Sequence, residues 1–332
     1  MFMSRSRGKT TVLRSSGQRL APIDPETAVL AARGFTDTAR QVVGELSGAA
    51  GLPVWLVNRV AGDAYTTLAA SGGRAASQVG VTLPWRDTLC ATYLSSSGCA
   101  VVPDVAASGT APVVAEKWGL RAYAGMALTS GDGRLLGTLC GFSREPLDVE
   151  LAHWSSAVLP AHAEELARQL VAALGAAAHA RAGDAEVAAA SRDELTGLPD
   201  RDGWGLLLDR EDDRCRRLAE PSGVVLADIG PVRTARSLRR AVAVVQETVG
   251  ADAVLSRVGG RQLGLLCPGQ PADSVADLAR QVRDELVTSG CEAVTGWSVR
   301  IGTRGLLETW WAAENDLLLA RTRQVHGARV SG

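Results

Sequence analysis

The chain has 332 residues, 46% of them hydrophobic, with 35 Lys and Arg against 36 Asp and Glu and a formal net charge of −1. That length accommodates two domains with cores of ordinary size, and the balanced charge provides no global field to hold nucleic acid or an anionic membrane, so neither is an expected partner. No stretch of about 18 uninterrupted apolar residues reads as a membrane span.

The first twenty residues carry Arg5, Arg7, Lys9, Arg14 and Arg19 without an acid. They have neither the apolar middle nor the small-residue cleavage site of a secretory signal, so residues 1–20 read as a disordered basic tail and the protein as cytoplasmic. Asp24-Pro25-Glu26 has the composition of a helix start, with helical sequence to about Ala49 interrupted at Gly34. Pro53–Val60 and Ala64–Ala70 read as paired strands, and Pro84–Leu94 as a helix closed by Gly98. A short strand, Cys99–Pro103, ends in Asp104. Strands Ala122–Thr129 and Arg134–Phe142 flank the tight-turn sequence Ser130-Gly131-Asp132-Gly133. The pattern over residues 21–146 is α+β, built on an antiparallel sheet.

From Leu147 to about Ala190 the composition shifts to Ala, Leu, Glu and Arg with no strand signal. Leu159, Ala163, Leu166, Leu170, Ala173 and Ala177 repeat at spacings of 4, 3, 4, 3 and 4. That spacing fits the seam of a two-helix coiled coil, and Pro160 suits the first turn of its helix. Two readings follow: a signalling helix over residues 147–190 that pairs two chains into a homodimer, or a helix packed along its own domain.

The remainder alternates cleanly. Helix Gly203–Leu218 precedes strand Gly223–Asp228, then helix Thr234–Val249 and a hairpin of Val254–Val258 and Gln262–Cys267. Helix Ala272–Thr288, strand Glu292–Thr303 and helix Leu307–Gln324 close the segment. This order predicts a ferredoxin-like α/β sandwich with helices mostly on one face of the sheet.

Two sequences in this last segment carry a resemblance. Residues 193–201 read Asp-Glu-Leu-Thr-Gly-Leu-Pro-Asp-Arg, and residues 257–263 read Arg-Val-Gly-Gly-Arg-Gln-Leu. Together they resemble the two ends of the GGDEF domain of diguanylate cyclases, here over residues 191–332. The likeness extends to Val299-Arg300-Ile301-Gly302 and to Ala313-Glu314-Asn315-Asp316. The resemblance implies a site for GTP and magnesium, with one carboxylate at Asp228 and a second at the third hairpin residue. That residue is Arg261, and its acidic neighbour is replaced by Gln262. A guanidinium presents only donors and cannot deprotonate, so the exchange moves the local charge by two units and leaves no magnesium site.

The segment after Asp228 also lacks the family's guanine-holding groups. The positions of its inhibitory R-x-x-D motif are Gly250 and Ala253. Gly259 and Gly260 remain, either to let backbone approach a phosphate or simply to close a tight hairpin. Arg261 is a candidate for metal-free phosphate contact with Arg233 or Arg236. The run Arg233–Arg240 otherwise reads as a solvated helix face. The expectation is a degenerate GGDEF domain that is not an enzyme and acts by binding an unknown protein partner, or alternatively serves as a metal-independent receptor for GTP or cyclic di-GMP.

The first domain resembles a GAF sensor over residues 25–146. The likeness is carried by Val101-Val102-Pro103-Asp104, by Tyr123-Ala124-Gly125-Met126-Ala127-Leu128, by Gly133–Cys140 and by Leu83-Pro84-Trp85-Arg86-Asp87-Thr88-Leu89-Cys90. The resemblance implies a small-molecule ligand. Residues 51–150 contain no histidine, which disfavours haem. Cys90 and Cys140 are followed by Ala91 and Gly141, not by histidine, which disfavours a bilin. No cofactor or metal is therefore expected. Trp85, Cys90, Asp104, Trp118, Tyr123 and Cys140 are the candidate pocket residues. None of the six cysteines forms a C-x-x-C pair, so they read as reduced thiols.

Overall fold

A computed structural model of the chain describes residues 25–49, 51–94, 98–109, 112–231, 234–250, 253–302 and 304–330. The expected basic tail over residues 1–20, the cap residue Asp24 and Arg233 lie outside these. The fold is mixed α and β with two antiparallel sheets.

The first sheet is wrapped by two long helices. Helix α1 (Pro25–Ala49) leads into strands β1 (Val54–Ala61) and β2 (Ala64–Ser71). Strand β3 (Thr82–Pro84), helix α2 (Leu89–Tyr93), strand β4 (Cys99–Val102) and helix α3 (Val113–Trp118) follow. Strands β5 (Ala122–Thr129) and β6 (Leu135–Ser143) complete a six-stranded sheet of order β3-β2-β1-β6-β5-β4. Alternation in β1 separates its two faces: Trp55 and Val57 point toward α1 and helix α4 (Val149–Ala188), whereas Leu56 and Val60 point the opposite way.

Several local expectations are corrected. Gly34 does not interrupt α1, which runs unbroken. A glycine costs a helix interior only about 1 kcal/mol, less than burial of the flanking Ala32 and Phe35 supplies. Residues 84–94 are not one helix but the end of β3, a single 3₁₀ turn and the short α2, which Thr88 caps by accepting from the Ala91 N–H. Pro160 lies inside α4, not at its start; Asp148 caps that helix by accepting from the Leu151 N–H.

The coiled-coil seam is also corrected. Leu159, Ala163, Leu166, Leu170, Ala173 and Ala177 are buried in the chain's own core, packed with α1 and the first sheet. A 4-3 spacing marks one apolar face of a helix without saying what covers it, and here the same chain does. The seam is therefore not open to a second chain.

Beyond α4 come α5 (Arg201–Leu218), β7 (Ser222–Asp228), α6 (Ala235–Val249), β8 (Val254–Arg257), β9 (Gln262–Pro268), α7 (Ala272–Thr288), β10 (Val294–Val299) and α8 (Leu306–Val330). The four strands order as β10-β7-β9-β8, with every neighbouring pair antiparallel. Helices cover both faces of this sheet, two on each, where the sequence order predicts them mostly on one. Helices α6 and α7 pack on Val225, Ala227, Leu263 and Leu265, while α5 and α8 pack on Val224 and Leu226. All seven residues of β7 are buried accordingly. The continuous apolar run Val-Val-Leu-Ala is the sequence signal of such two-sided cover.

The C-terminal end of α4 is tied to α5 by charge. Arg181 reaches Glu211 at 2.9 Å and Glu220 at 2.5 Å. Asp184, fully buried, receives both Arg210 and Arg214. The helix whose middle lies in the first core is thus ion-paired at its end to the second.

Candidate functional site

The strand β7 ends in Asp228, which lies opposite Gln262 of β9 and Val294 of β10. This register places its carboxylate beside the β8–β9 hairpin, and the Ile229 N–H donates to the Arg261 carbonyl at 3.1 Å. Asp228 is buried. One carboxylate oxygen accepts the Gly230 N–H at 2.8 Å. The other faces two guanidiniums: Arg261 at 3.4 Å and Arg321 from α8, in direct contact. One carboxylate against two guanidiniums leaves the site with a net positive charge. A hard divalent cation needs several oxygen ligands, and this donor set does not fit one. Among the described residues, no three His, Cys, Asp or Glu side chains gather into a metal-holding group.

The two glycines of the hairpin are not explained by its backbone. Neither Gly259 nor Gly260 lies in the left-handed region. A Cβ on Gly260 would meet nothing within 4 Å, and one on Gly259 would meet only the Gln262 side chain at 3.0 Å. The fold therefore leaves open space over Gly260.

The two ends of the GGDEF-like sequence are joined directly. Asp193 accepts from the Thr196 N–H at 2.9 Å and its hydroxyl at 2.7 Å, and pairs with Arg257 at 2.5 Å. Arg257 in turn donates to the Gly260 carbonyl at 2.9 Å. Burial raises the Asp193 carboxyl, but the Thr196 and Arg257 hydrogen bonds outweigh it and hold it below the usual carboxylate value. Arg257 anchors the hairpin, and its place within the motif was the available sequence signal. Arg321 had none: it is 93 positions from Asp228. Arg236 is exposed on α6.

In the first domain, four of the six candidate pocket residues converge. Cys90, Tyr123 and Cys140 are buried in one cluster, with Trp85 packed against it. Asp104 and Trp118 do not join them. Asp104 forms a two-pronged pair with Arg121, at 3.0 and 2.6 Å, near the surface. Trp118 ends α3 with 53% of its surface exposed. The sequence assigned no element to α3, so the direction of Trp118 was not legible.

Sequence reasoning also missed the polar lining. Tyr65 places its hydroxyl 3.2 Å from Cys90 Sγ, 3.2 Å from Thr138 Oγ1 and 3.4 Å from Cys140 Sγ. Asn58 donates to Thr138 at 3.3 Å and accepts from the Thr67 hydroxyl at 2.9 Å. Burial raises the Cys90 thiol, but hydrogen bonding, first from Cys140 and then from the tyrosine hydroxyls, brings it to about 7. Burial and Cys90 raise Cys140. All six cysteines are thiols.

The family model of the GAF domain matches residues 34–178, a span that takes in most of α4. No curated protein matches in sequence. Similar solved structures include the GGDEF domain of FimX from Pseudomonas aeruginosa, with TM-score 0.37 and 16% identity over 40% of this chain and 94% of that one. Diguanylate cyclase SiaD from Pseudomonas aeruginosa, in complex with its activator SiaC, has TM-score 0.37 and 21% identity over 52% of this chain and 76% of that one. The GAF domain of a phosphoenolpyruvate-protein phosphotransferase from Coxiella burnetii has TM-score 0.36 and 17% identity over 47% of this chain and 99% of that one.

The expectation that the chain is not an enzyme is corrected by these findings, because the similar structures include a named diguanylate cyclase. Two exchanged side chains describe one metal arrangement at one hairpin, and inactivity of the whole protein does not follow from them. Among the described residues no helix is long and apolar enough to cross a membrane. The segment of this chain from residue 34 to residue 178 is a GAF domain.

Proposed function

We propose that this is a signalling protein whose GAF domain takes up a small molecule and whose C-terminal domain responds by binding the phosphates of a guanine nucleotide, GTP or cyclic di-GMP, without a metal. The observation that carries the reading is the pair of guanidiniums, Arg261 and Arg321, on one buried carboxylate beside the open backbone of Gly260. A phosphate approaching this hairpin meets net positive charge and guanidinium donors, which bind it through charge-assisted hydrogen bonds. Helix α4 supports the coupling, since its middle lies in the GAF core and its end is ion-paired to α5.

Calorimetry with GTP and with cyclic di-GMP, in EDTA, tests the reading. Binding should weaken with added salt, as exposed charge contacts do. Arg261→Ala should remove most of it, since Arg321 keeps Asp228 paired in that variant. Product formation from GTP and magnesium is followed in the same preparations. Absence of metal-free binding would overturn the proposal in favour of docking to a protein partner, and steady conversion of GTP would overturn it in favour of a cyclase.

A further inference from the structure

Helix α8 has an inner and an outer face of unusual composition. The inner face, Leu306, Trp310, Ala313 and Leu317, is buried against the second sheet and α5. The outer face is apolar as well, yet uncovered: Trp311 is 54% exposed, Leu318 59% and Leu319 55%. At 3.6 residues per turn, Trp311, Ala312, Asn315, Leu318 and Leu319 fall on one stripe. Glu314 is exposed along one edge of it, and its two ends carry opposite charge. Glu308 stands at the N-terminal end of the stripe and Arg323 at the C-terminal end, both exposed. A large contiguous apolar patch with a charged rim marks an interaction surface.

We propose that this face of α8 docks antiparallel on the same face of a second copy of the chain, about a two-fold axis at Asn315. The sequence around that residue is self-complementary. Four positions before it stands Trp311 and four after it Leu319, so each Trp311 packs on the other copy's Leu319. Three before stands the small Ala312 and three after the bulky Leu318, which interlock. Seven and eight positions out, Glu308 comes beside the opposite Arg323. A two-fold contact makes each of these pairs twice. Parallel pairing would set Glu308 against Glu308 and Arg323 against Arg323, so the charges select the antiparallel arrangement. The α4 seam is buried within its own chain, and the pairing face lies on the other domain.

The experiment measures the mass of the full chain in solution by light scattering and ultracentrifugation. A dimer is expected for the unaltered protein, and a monomer with unchanged circular dichroism for the double variant Trp311→Glu, Leu319→Glu. Glu308→Arg should loosen the dimer, and adding Arg323→Glu to it should restore the affinity. Asn315→Cys, sited on the axis, should give a covalent dimer on mild oxidation, whereas Val113→Cys, also exposed but on α3, should not. A monomeric unaltered protein, a dimer that persists in the double variant, or crosslinking of Asn315→Cys no faster than of Val113→Cys overturns the proposal.

Discussion

Replacing Leu166 with Ala tests whether the 4-3 repeat of α4 belongs to the GAF core or to a contact between chains. Leu166 is fully buried among α1, α4 and the first sheet. The substitution removes three carbon atoms from that core, which at about 0.8 kcal/mol for each buried CH₂ amounts to roughly 2.4 kcal/mol of lost transfer free energy. The surrounding backbone cannot fully collapse into the vacated volume, because α4 is held at one end by the Asp148 cap and at the other by the Arg181 and Asp184 pairs. A cavity contribution therefore adds to the loss, for a total of about 3–4 kcal/mol within the usual span for Leu→Ala. Urea unfolding followed by circular dichroism measures it, read as a lower midpoint at unchanged slope for the transition of the first domain. A core residue loses the same amount at every protein concentration, whereas a residue between chains loses an amount that depends on dilution. A loss below about 1 kcal/mol, or one that shrinks as the protein is diluted, would refute the placement of this helix.

Asp193 predicts a pH dependence. Its folded carboxyl lies below the unfolded value of about 3.9, so its stabilisation is fully present above that value and is lost as pH falls through the folded one. The stability gap between the unaltered protein and Asp193→Asn should be open at neutral pH and close below about pH 4, as read from denaturant midpoints; a gap that persists in acid argues against the Arg257 pairing. Two glycines should behave oppositely. Gly260→Ala should change stability by less than about 1 kcal/mol, because its Cβ enters open space, while weakening any nucleotide contact at the hairpin. Gly296→Ala places a Cβ 2.2 Å from the backbone nitrogen of Leu317, so it should force α8 off β10 and lower the unfolding midpoint sharply. Equal midpoints for the two variants would contradict the close packing of that helix.

Local chemistry made much of the chain legible from its residues. The ends of α6 and α7 fall where expected, and Thr234 caps α6 by accepting from the Ser237 N–H while Ser237 returns a bond to the Thr234 N–H. The turns at Gly62-Asp63 and at Ser130–Gly133 join the strand pairs expected of them. Such features depend on residues within a few positions of one another, which is the range over which caps, turns and alternation act. The short α3 was not legible, because six residues carry too little periodicity to show a helix. The apolar stripe of α4 was visible in the sequence, but periodicity names a face without naming its cover, and only the fold set it against α1 and its own sheet. Asp228 and Arg261 could be singled out from the motif. Arg321 could not, since only the packing of α8 across β7 and β10 brings a guanidinium from 93 positions away onto that carboxylate. What neighbours along the chain determine was readable from order alone; what distant residues do to one another waited on the tertiary structure, because burial and charge act through space.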